Sequence, residues 1–204
     1  MTDDCCDVEI ESKEQARMLW VVLAINASMF VVEFVLGIIA QSTGLIADSL
    51  DMLADATVYA ISLYAVGRAT TVKTRAALLS GFFQIALAFG VAGEILRRII
   101  WGSEPEALYM IGVSAIALVA NVICLALLAK HRDGEVHMRA SWVFSKNDVI
   151  ANCGVILSGV LVATLDSRWP DLAVGAIIIF VVMRGGLNII ADARREGATE
   201  SSGR

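Results

Sequence analysis

The sequence predicts an all-α integral membrane protein with six transmembrane helices. The chain of 204 residues is 57% hydrophobic and only 18% charged, and its mean hydropathy is +0.72, which is too apolar for an ordinary soluble domain. Apolar runs of about 20 residues, the length of a helix that crosses a bilayer, recur along it. The predicted spans are 18–39, 44–66, 77–100, 107–129, 141–164 and 171–192.

Lys and Arg are distributed unevenly between the two sides of these spans. With both termini in the cytoplasm, three basic residues face outward, Lys146 and Arg184 lie within spans, and eleven face inward. The eleven are Lys13, Arg17, Arg68, Lys73, Arg75, Lys130, Arg132, Arg139, Arg194, Arg195 and Arg204. Because cytoplasmic loops carry such an excess, we expect both termini to be cytoplasmic and the protein to lie in a cell membrane, as in the bacterial inner membrane.

Polar tails flank the six-helix domain of residues 18–192. Residues 1–17 form an acidic cytoplasmic tail. Residues 193–204 form a short polar tail that we expect to be disordered, with no C-terminal cytoplasmic domain after it.

Composition and motifs argue against several classes of function. The net charge of −5 argues against nucleic-acid binding. There is no Walker A, GxSxG or HExxH motif, so we expect neither an enzyme nor a cofactor. The four cysteines show no disulfide spacing, and Cys124 and Cys153 lie in apolar runs as small core residues.

Three carboxylates lie in the second span, in the segment DSLDMLAD. Asp48, Asp51 and Asp55 share one helical face, and Asp51 and Asp55 are four residues apart, so their side chains converge. Asp51 lies about 10 Å and Asp55 about 16 Å from the outer start of the span. Each Asp costs roughly 2.5–3.5 kcal/mol near the bilayer centre. The acids must therefore face protein, water or a cation; the structural alternative is that they cap helices or pair with Lys146 or Arg184.

The fifth span carries a second polar pair, Asp148 and Asn152, again four residues apart. The second and fifth spans run in opposite directions, so the two pairs meet near the middle of the membrane. Three carboxylates and an amide suit a divalent cation, whereas a monovalent ion or a proton needs less negative charge. The predicted ligands are Asp51, Asp55, Asp148 and Asn152, with Asp48, Ser145 and Asn147 as further candidates.

Other polar residues lie inside the remaining spans. Asn26, Gln84 and Asn121 are expected to join helices by hydrogen bonds. Glu33, on one face with Asn26, and Glu94 are costlier to bury and either line an ion path or serve as helix contacts.

The amino-terminal segment contains the adjacent cysteines Cys5 and Cys6 among acidic residues. In a reducing cytoplasm two thiols can collect a soft metal ion. The alternative is an unstructured acidic tail with incidental thiols.

Three segments resemble a known family, the cation diffusion facilitators. The segment SMFVVEFVLGIIAQSTGLIADSLDMLADA is similar to the family's first two helices, with the signature (S/A)D-x-x-(H/D)-x-x-x-D. GEILRRI resembles the end of its third helix and SKNDVIANCGVILSG its fifth. The resemblance covers residues 15–195 and implies a dimeric antiporter of divalent metals and protons.

By position, the resemblance implies that Asp51, Asp55 and Asp148 are metal ligands. The family usually has His, Asp, Glu or Asn four residues before the last Asp, where this chain has Phe144. The fourth ligand is then Asn152, Asn147, Ser145 or water. We therefore expect an exporter of a divalent transition metal (Zn, Co, Ni, Fe, Mn or Cd) driven by protons. The alternatives are a monovalent-cation transporter and a membrane metal receptor or adaptor without transport.

Replacement of Phe144 by His is expected to raise zinc affinity relative to Mn²⁺. A histidine four residues before Asp148 shares its helical face, and imidazole suits Zn²⁺ better than the harder Mn²⁺. Binding should also fall more steeply near the histidine pKa of about 6.5. Competition titrations of both proteins with Zn²⁺ and Mn²⁺ measure the ratio, and an unchanged ratio would contradict a missing ligand at this position.

Overall fold

In the computed structural model the chain folds into six α-helices, with no strand in the ranges it describes. The structure describes the backbone of residues 3–65, 70–129 and 136–202, and their side chains except at 3–13, 15, 62, 64–65, 70–74, 76–77, 80, 136–141, 143–144 and 196–202. The helices are α1 (Asp3–Ile39), α2 (Thr43–Ala65), α3 (Thr70–Trp101), α4 (Ala107–Ala129), α5 (Val136–Leu165) and α6 (Trp169–Ser202). The all-α prediction is confirmed.

The helices extend beyond several of the predicted apolar spans. The bounds of α4 equal the predicted 107–129, but α1 already begins at Asp3 and α6 continues to Ser202. The segment after residue 192, which we expected to be disordered, is therefore helical as far as Ser202. Hydropathy locates only the apolar part of a helix. The polar ends of α1 and α6 are rich in Glu, Arg and Ala, which favour the helical conformation, so the helix continues beyond the apolar part.

Four helical segments in the described part of the chain are long and apolar enough to cross a membrane: Ala16–Ile39, Ala107–Ala129, Ser145–Leu165 and Trp169–Arg195. The predicted second and third spans, on α2 and α3, are not among them. Large apolar side chains such as Phe82, Phe89 and Ile177 are exposed on the outside of the bundle. An apolar exterior is expected where lipid takes the place of water.

Helix α2 occupies the centre of the bundle and contacts each of the other five helices. Residues 42–52 are all buried in succession. The outer helices instead bury one stripe; along α1 it includes Asn26, Met29 and Glu33. The acidic residues of α2 are therefore enclosed by protein whichever way they point.

Two apolar clusters lie on either side of the acidic stretch of α2. One, where α2 begins, includes Leu45, Val155 and Ile178. The other, where α2 ends, includes Leu19, Tyr59 and Leu128. Asp51 and Asp55 lie between these clusters along α2, so apolar packing separates them from both ends of the bundle.

A buried carboxylate from α6 holds the first turn of α2. Asp171 Oδ2 accepts hydrogen bonds from Thr43 N (2.6 Å) and Thr43 Oγ1 (2.5 Å), and Oδ1 accepts from Ser42 Oγ (2.6 Å) and Gly44 N (3.0 Å). Both amides belong to the first turn of the helix, where no backbone acceptor is available. A Cβ on Gly175 of α6 would lie 3.1 Å from Thr43, so a glycine there permits the close crossing. We call Asp171, Ser42, Thr43 and Gly44 the Asp171 network.

Replacement of Asp171 by Asn is expected to destabilise the fold by roughly 3 kcal/mol. An amide accepts through one oxygen only, and its NH2 group would face donors inside the protein. Thermal unfolding in detergent measures the loss. Asp166→Asn is the matched control, because Asp166 is exposed and has a positive φ of 46° that Asn tolerates. Equal melting temperatures for the two variants would show that the Asp171 network adds no stability.

Candidate metal centre

Three carboxylates from two helices converge inside the bundle. Asp51 and Asp55 lie on successive turns of α2, and Asp148 lies on α5, which contacts α2. One carboxylate oxygen from each lies within 4.8 Å of the other two. The exposed fractions of these residues are 8%, 4% and 1%. We call Asp51, Asp55 and Asp148 the three-carboxylate cluster.

The spacing of these oxygens suits a small cation. Oxygens that bind a metal at about 2.1 Å lie at most about 4.2 Å apart, so a contraction of less than 1 Å would bring the cluster to coordination distance. Within the described part of the chain no Lys or Arg forms an ion pair with any of the three. Because unpaired buried charges are costly, protons or a cation must neutralise the cluster.

Tyr59 is a neighbour of the cluster that the sequence analysis missed. It is fully buried, and its hydroxyl donates to Asp55 Oδ2 at 3.3 Å. Tyr59 lies four residues after Asp55, so the spacing alone places the two on one helical face. A donor to a metal-binding carboxylate orients it and fixes which oxygen stays free.

Asn152, the predicted fourth ligand, links the cluster to Asp48. Its Nδ2 donates to Asp48 Oδ2 and to the backbone oxygen of Asp148, both at 2.9 Å. Its Oδ1 is buried without a hydrogen-bond partner. Asp48 itself is fully buried but lies outside the three-carboxylate cluster.

The two remaining fifth-helix candidates are in different positions. Asn147 lines a cleft of about 230 Å³ between α5 and α6, together with Asp51, Gly154 and Val174. The Ser145 hydroxyl instead donates to the backbone oxygen of Asn121 at 3.3 Å. Asn147 thus shares a cavity with one cluster carboxylate, whereas Ser145 joins α5 to α4.

Two glutamates were expected either to line an ion path or to serve as helix contacts. One is deeply buried and the other lies apart from the cluster. Glu33 is fully buried, and neither of its carboxylate oxygens has a hydrogen-bond partner. Glu94 forms ion pairs with Arg97 and Arg98, both at 2.7 Å. Arg98 also donates to the backbone oxygen of Gln41, so Glu94 supports the connection between α1 and α2.

The polar residues expected to join helices behave differently from one another. Asn26 donates to Val22 O in its own helix. Gln84 is buried in α3, and a Cβ on Gly185 of α6 would lie 3.3 Å from its Nε2. The side chain of Asn121 is buried without a hydrogen-bond partner.

The cysteines and Phe144, which the sequence singled out, contribute no described side chain to the cluster. The side chains of Cys5, Cys6 and Phe144 are not among those described, so their predicted roles stay predictions. Cys124 is buried as expected of a core residue, whereas Cys153 is exposed.

The chain is similar to several metal transporters. It is 25% identical over 195 residues to the metal cation efflux system protein CzcD of Cupriavidus metallidurans, covering 86% of this chain and 62% of the relative. It is 22% identical to the cadmium, cobalt and zinc/H(+)-K(+) antiporter of Bacillus subtilis, covering 87% and 61%. It is 22% identical to the zinc transporter ZitB of Escherichia coli, covering 89% and 62%.

The chain therefore spans about three fifths of the length of these curated relatives. The family model of the cation efflux transmembrane domain matches residues 19–196, which include the three-carboxylate cluster. The chain belongs to the cation efflux transmembrane domain family.

Proposed function

We propose that this protein exports a divalent transition metal from the cytoplasm in exchange for protons, and that Asp51, Asp55 and Asp148 bind the metal. The observation that carries the proposal is the buried three-carboxylate cluster, which has no basic partner among the described residues. Carboxylates in this number suit a divalent ion. The names of the relatives, which include zinc, cadmium and cobalt, support the same class of substrate.

The proposed topology has six membrane spans with both termini in the cytoplasm, in a bacterial inner membrane. The inward excess of Lys and Arg supports this orientation. It places the Asp171 network at the outer surface and the cluster near mid-membrane. As the family resemblance implies, the working unit is a homodimer that associates through its transmembrane helices.

The proposed exchange rests on competition for the same oxygens. Metal ligands must be deprotonated to bind, so an arriving cation releases protons. When the site opens to the outside, protons displace the metal and neutralise the carboxylates again. The cleft beside Asp51 provides space next to the site. The Asp171 network, which joins α2 to α6 at the end of that cleft, supports a conformation closed to the outside.

The fourth ligand is proposed to be Asn152 Oδ1 or water. This oxygen is buried and unpartnered, and its side chain is held between Asp48 and the Asp148 backbone. Nδ2 already donates hydrogen bonds to Asp48 and to the Asp148 backbone oxygen. The amide oxygen therefore reaches the ion only if the side chain turns. Ligands of this kind do not strongly favour zinc over other first-row metals.

Asn substitution at Asp51, Asp55 or Asp148 is expected to lower metal uptake by roughly 100-fold or more. Each is proposed as a direct ligand, whose loss should exceed the 10- to 100-fold cost of losing an outer-shell partner. Proteoliposomes loaded with a pH reporter and offered a panel of metals measure metal flux and proton counterflow together. Asp192→Asn, an exposed acid on α6, is the control.

Three outcomes of that assay would contradict the proposal. Wild-type uptake in two of the three Asn variants would remove the cluster from the pathway. Saturable uptake of a monovalent ion without divalent flux would favour a monovalent-cation transporter. Metal binding without metal or proton flux would favour a receptor.

Replacement of Tyr59 by Phe is expected to weaken metal binding about tenfold, which is typical of losing an outer-shell partner. The hydroxyl that donates to Asp55 is removed, while the ring keeps its packing against the apolar cluster. Titration calorimetry with Cd²⁺ measures the affinity. Tyr109→Phe is the control, because Tyr109 is exposed on α4. If both variants bind like the wild type, the hydroxyl does not position Asp55.

A further inference from the structure

A second acidic group lies next to the three-carboxylate cluster and is not part of it. Glu33 of α1 and Asp48 of α2 are each 0% exposed. Both oxygens of Glu33 and Oδ1 of Asp48 are buried without a hydrogen-bond partner. Two such carboxylates leave several buried acceptor sites unfilled, which a stable protein interior rarely tolerates.

The packing register of α1 and α2 places the two carboxylates opposite each other. Met29 of α1 and Met52 of α2 belong to one packed cluster. Gly37 of α1 lies against Ile46 of α2, since a Cβ on Gly37 would be 3.1 Å from that residue. Glu33 lies between Met29 and Gly37 on the same face, and Asp48 lies between Ile46 and Met52.

Glu33 and Asp48 thus face each other across the contact between α1 and α2. Within the described residues no Lys or Arg forms an ion pair with either acid. Two adjacent carboxylates without a basic partner cannot both stay charged in a low-dielectric interior unless a cation joins them.

Asn152 adds a neutral oxygen ligand to the pair. Its Nδ2 donates to Asp48 Oδ2, and its Oδ1 is buried without a hydrogen-bond partner, so a turn of the amide would present this oxygen to an ion at Asp48. Carboxylate and amide oxygens together are typical ligands of divalent cations. The same amide donates to the backbone of Asp148, which connects this group to the cluster.

Glu33 and Asp48 lie between the three-carboxylate cluster and the Asp171 network, on the proposed route of the metal to the outside. Asp48 precedes Asp51 by one helical turn, about 4.5 Å along α2, in the direction of the Asp171 network. A metal that leaves the cluster toward that end passes Asp48 next. A second set of oxygen ligands there would let the metal ion move between protein ligands in two short steps instead of one long step without ligands.

We propose that Glu33, Asp48 and Asn152 form a second divalent-cation site, between the three-carboxylate cluster and the Asp171 network, that the metal occupies in transit. This inference rests on the proposed function, because it assumes that the cluster binds the transported metal. Two divalent ions about one helical turn apart repel each other, so the two sites are filled alternately.

Binding of Cd²⁺ to the full chain in nanodiscs, measured by titration calorimetry, tests the second site directly. The variant Asp51→Asn/Asp55→Asn is expected to retain Cd²⁺ binding at an affinity at least tenfold below that of the wild type. Adding Glu33→Gln or, separately, Asp48→Asn should abolish the residual binding. Adding Glu94→Gln should leave it unchanged, since Glu94 is paired with Arg97 and Arg98. Gel filtration and thermal melting establish that each variant is folded. Because Glu33→Gln and Asp48→Asn are tested separately, the experiment still decides if one of the two variants does not fold.

Transport kinetics provide a second readout that a merely structural role would not move. In the otherwise wild-type chain, Glu33→Gln should lower the maximal rate about tenfold, the lower end of the effect of losing a metal-site partner. Its KM for cytoplasmic metal should stay within about twofold, because the cluster that receives the metal is intact. Glu33→Asp should restore part of the rate, since it restores the charge.

The outcomes separate this inference from the proposed function. Residual Cd²⁺ binding that is unaffected by Glu33→Gln and Asp48→Asn would overturn the second site alone, as would a double Asn variant that binds no Cd²⁺. Wild-type affinity in the double Asn variant would instead overturn the cluster as the transport site. Equal changes in rate and KM for Glu33→Gln and Glu94→Gln would reduce Glu33 to a packing residue.

Discussion

The structure depends on the cost of keeping carboxylates inside a bundle whose described residues offer them no basic partner. Asp48, Asp51 and Asp55 lie on α2, which the other five helices surround. Apolar clusters pack around both ends of α2. A site of this kind is stable only when protons or a metal ion neutralise it. A metal that binds there, as proposed, has to displace the protons that neutralise the same oxygens.

Much of the fold could be predicted from hydropathy, because a helix exposed to lipid has to be apolar along its length. The bounds of α4 agree with the predicted span, since its ends coincide with the change from apolar to polar residues. The longer α1 and α6 were not predicted, because their polar ends are helical without being apolar. The central position of α2 was not predicted either; it depends on contacts between distant segments. The Asp171 network joins residues 127–129 positions apart, and no local pattern indicates that pairing.

The sequence spacing predicted those parts of the site whose residues share a helix. It did not predict the parts that depend on the orientation of a side chain. The four-residue spacing of Asp51 and Asp55, and the opposite course of the fifth span, indicated the group that the structure brings together. The direction of the Asn152 amide, which donates to Asp48, had no sequence signal. Glu94 was left open between an ion path and a helix contact, although Arg97 and Arg98 follow it at three and four residues, a spacing that already favours local ion pairs. Whether these groups bind metal stays a prediction.

The Asp171 network anchors the first turn of α2, and this has a mechanical consequence for the middle of the helix. Rotation of α2 about its fixed first turn displaces each residue in proportion to its distance from that turn. Asp51 and Asp55 lie about 10 Å and 16 Å along the helix from Gly44, so a tilt of about 10° displaces them by about 2 Å and 3 Å. Displacements of that size exceed the tolerance of a metal–oxygen bond. If the cluster binds a metal as proposed, a tilt that leaves the anchored first turn in place is large enough to release the ion.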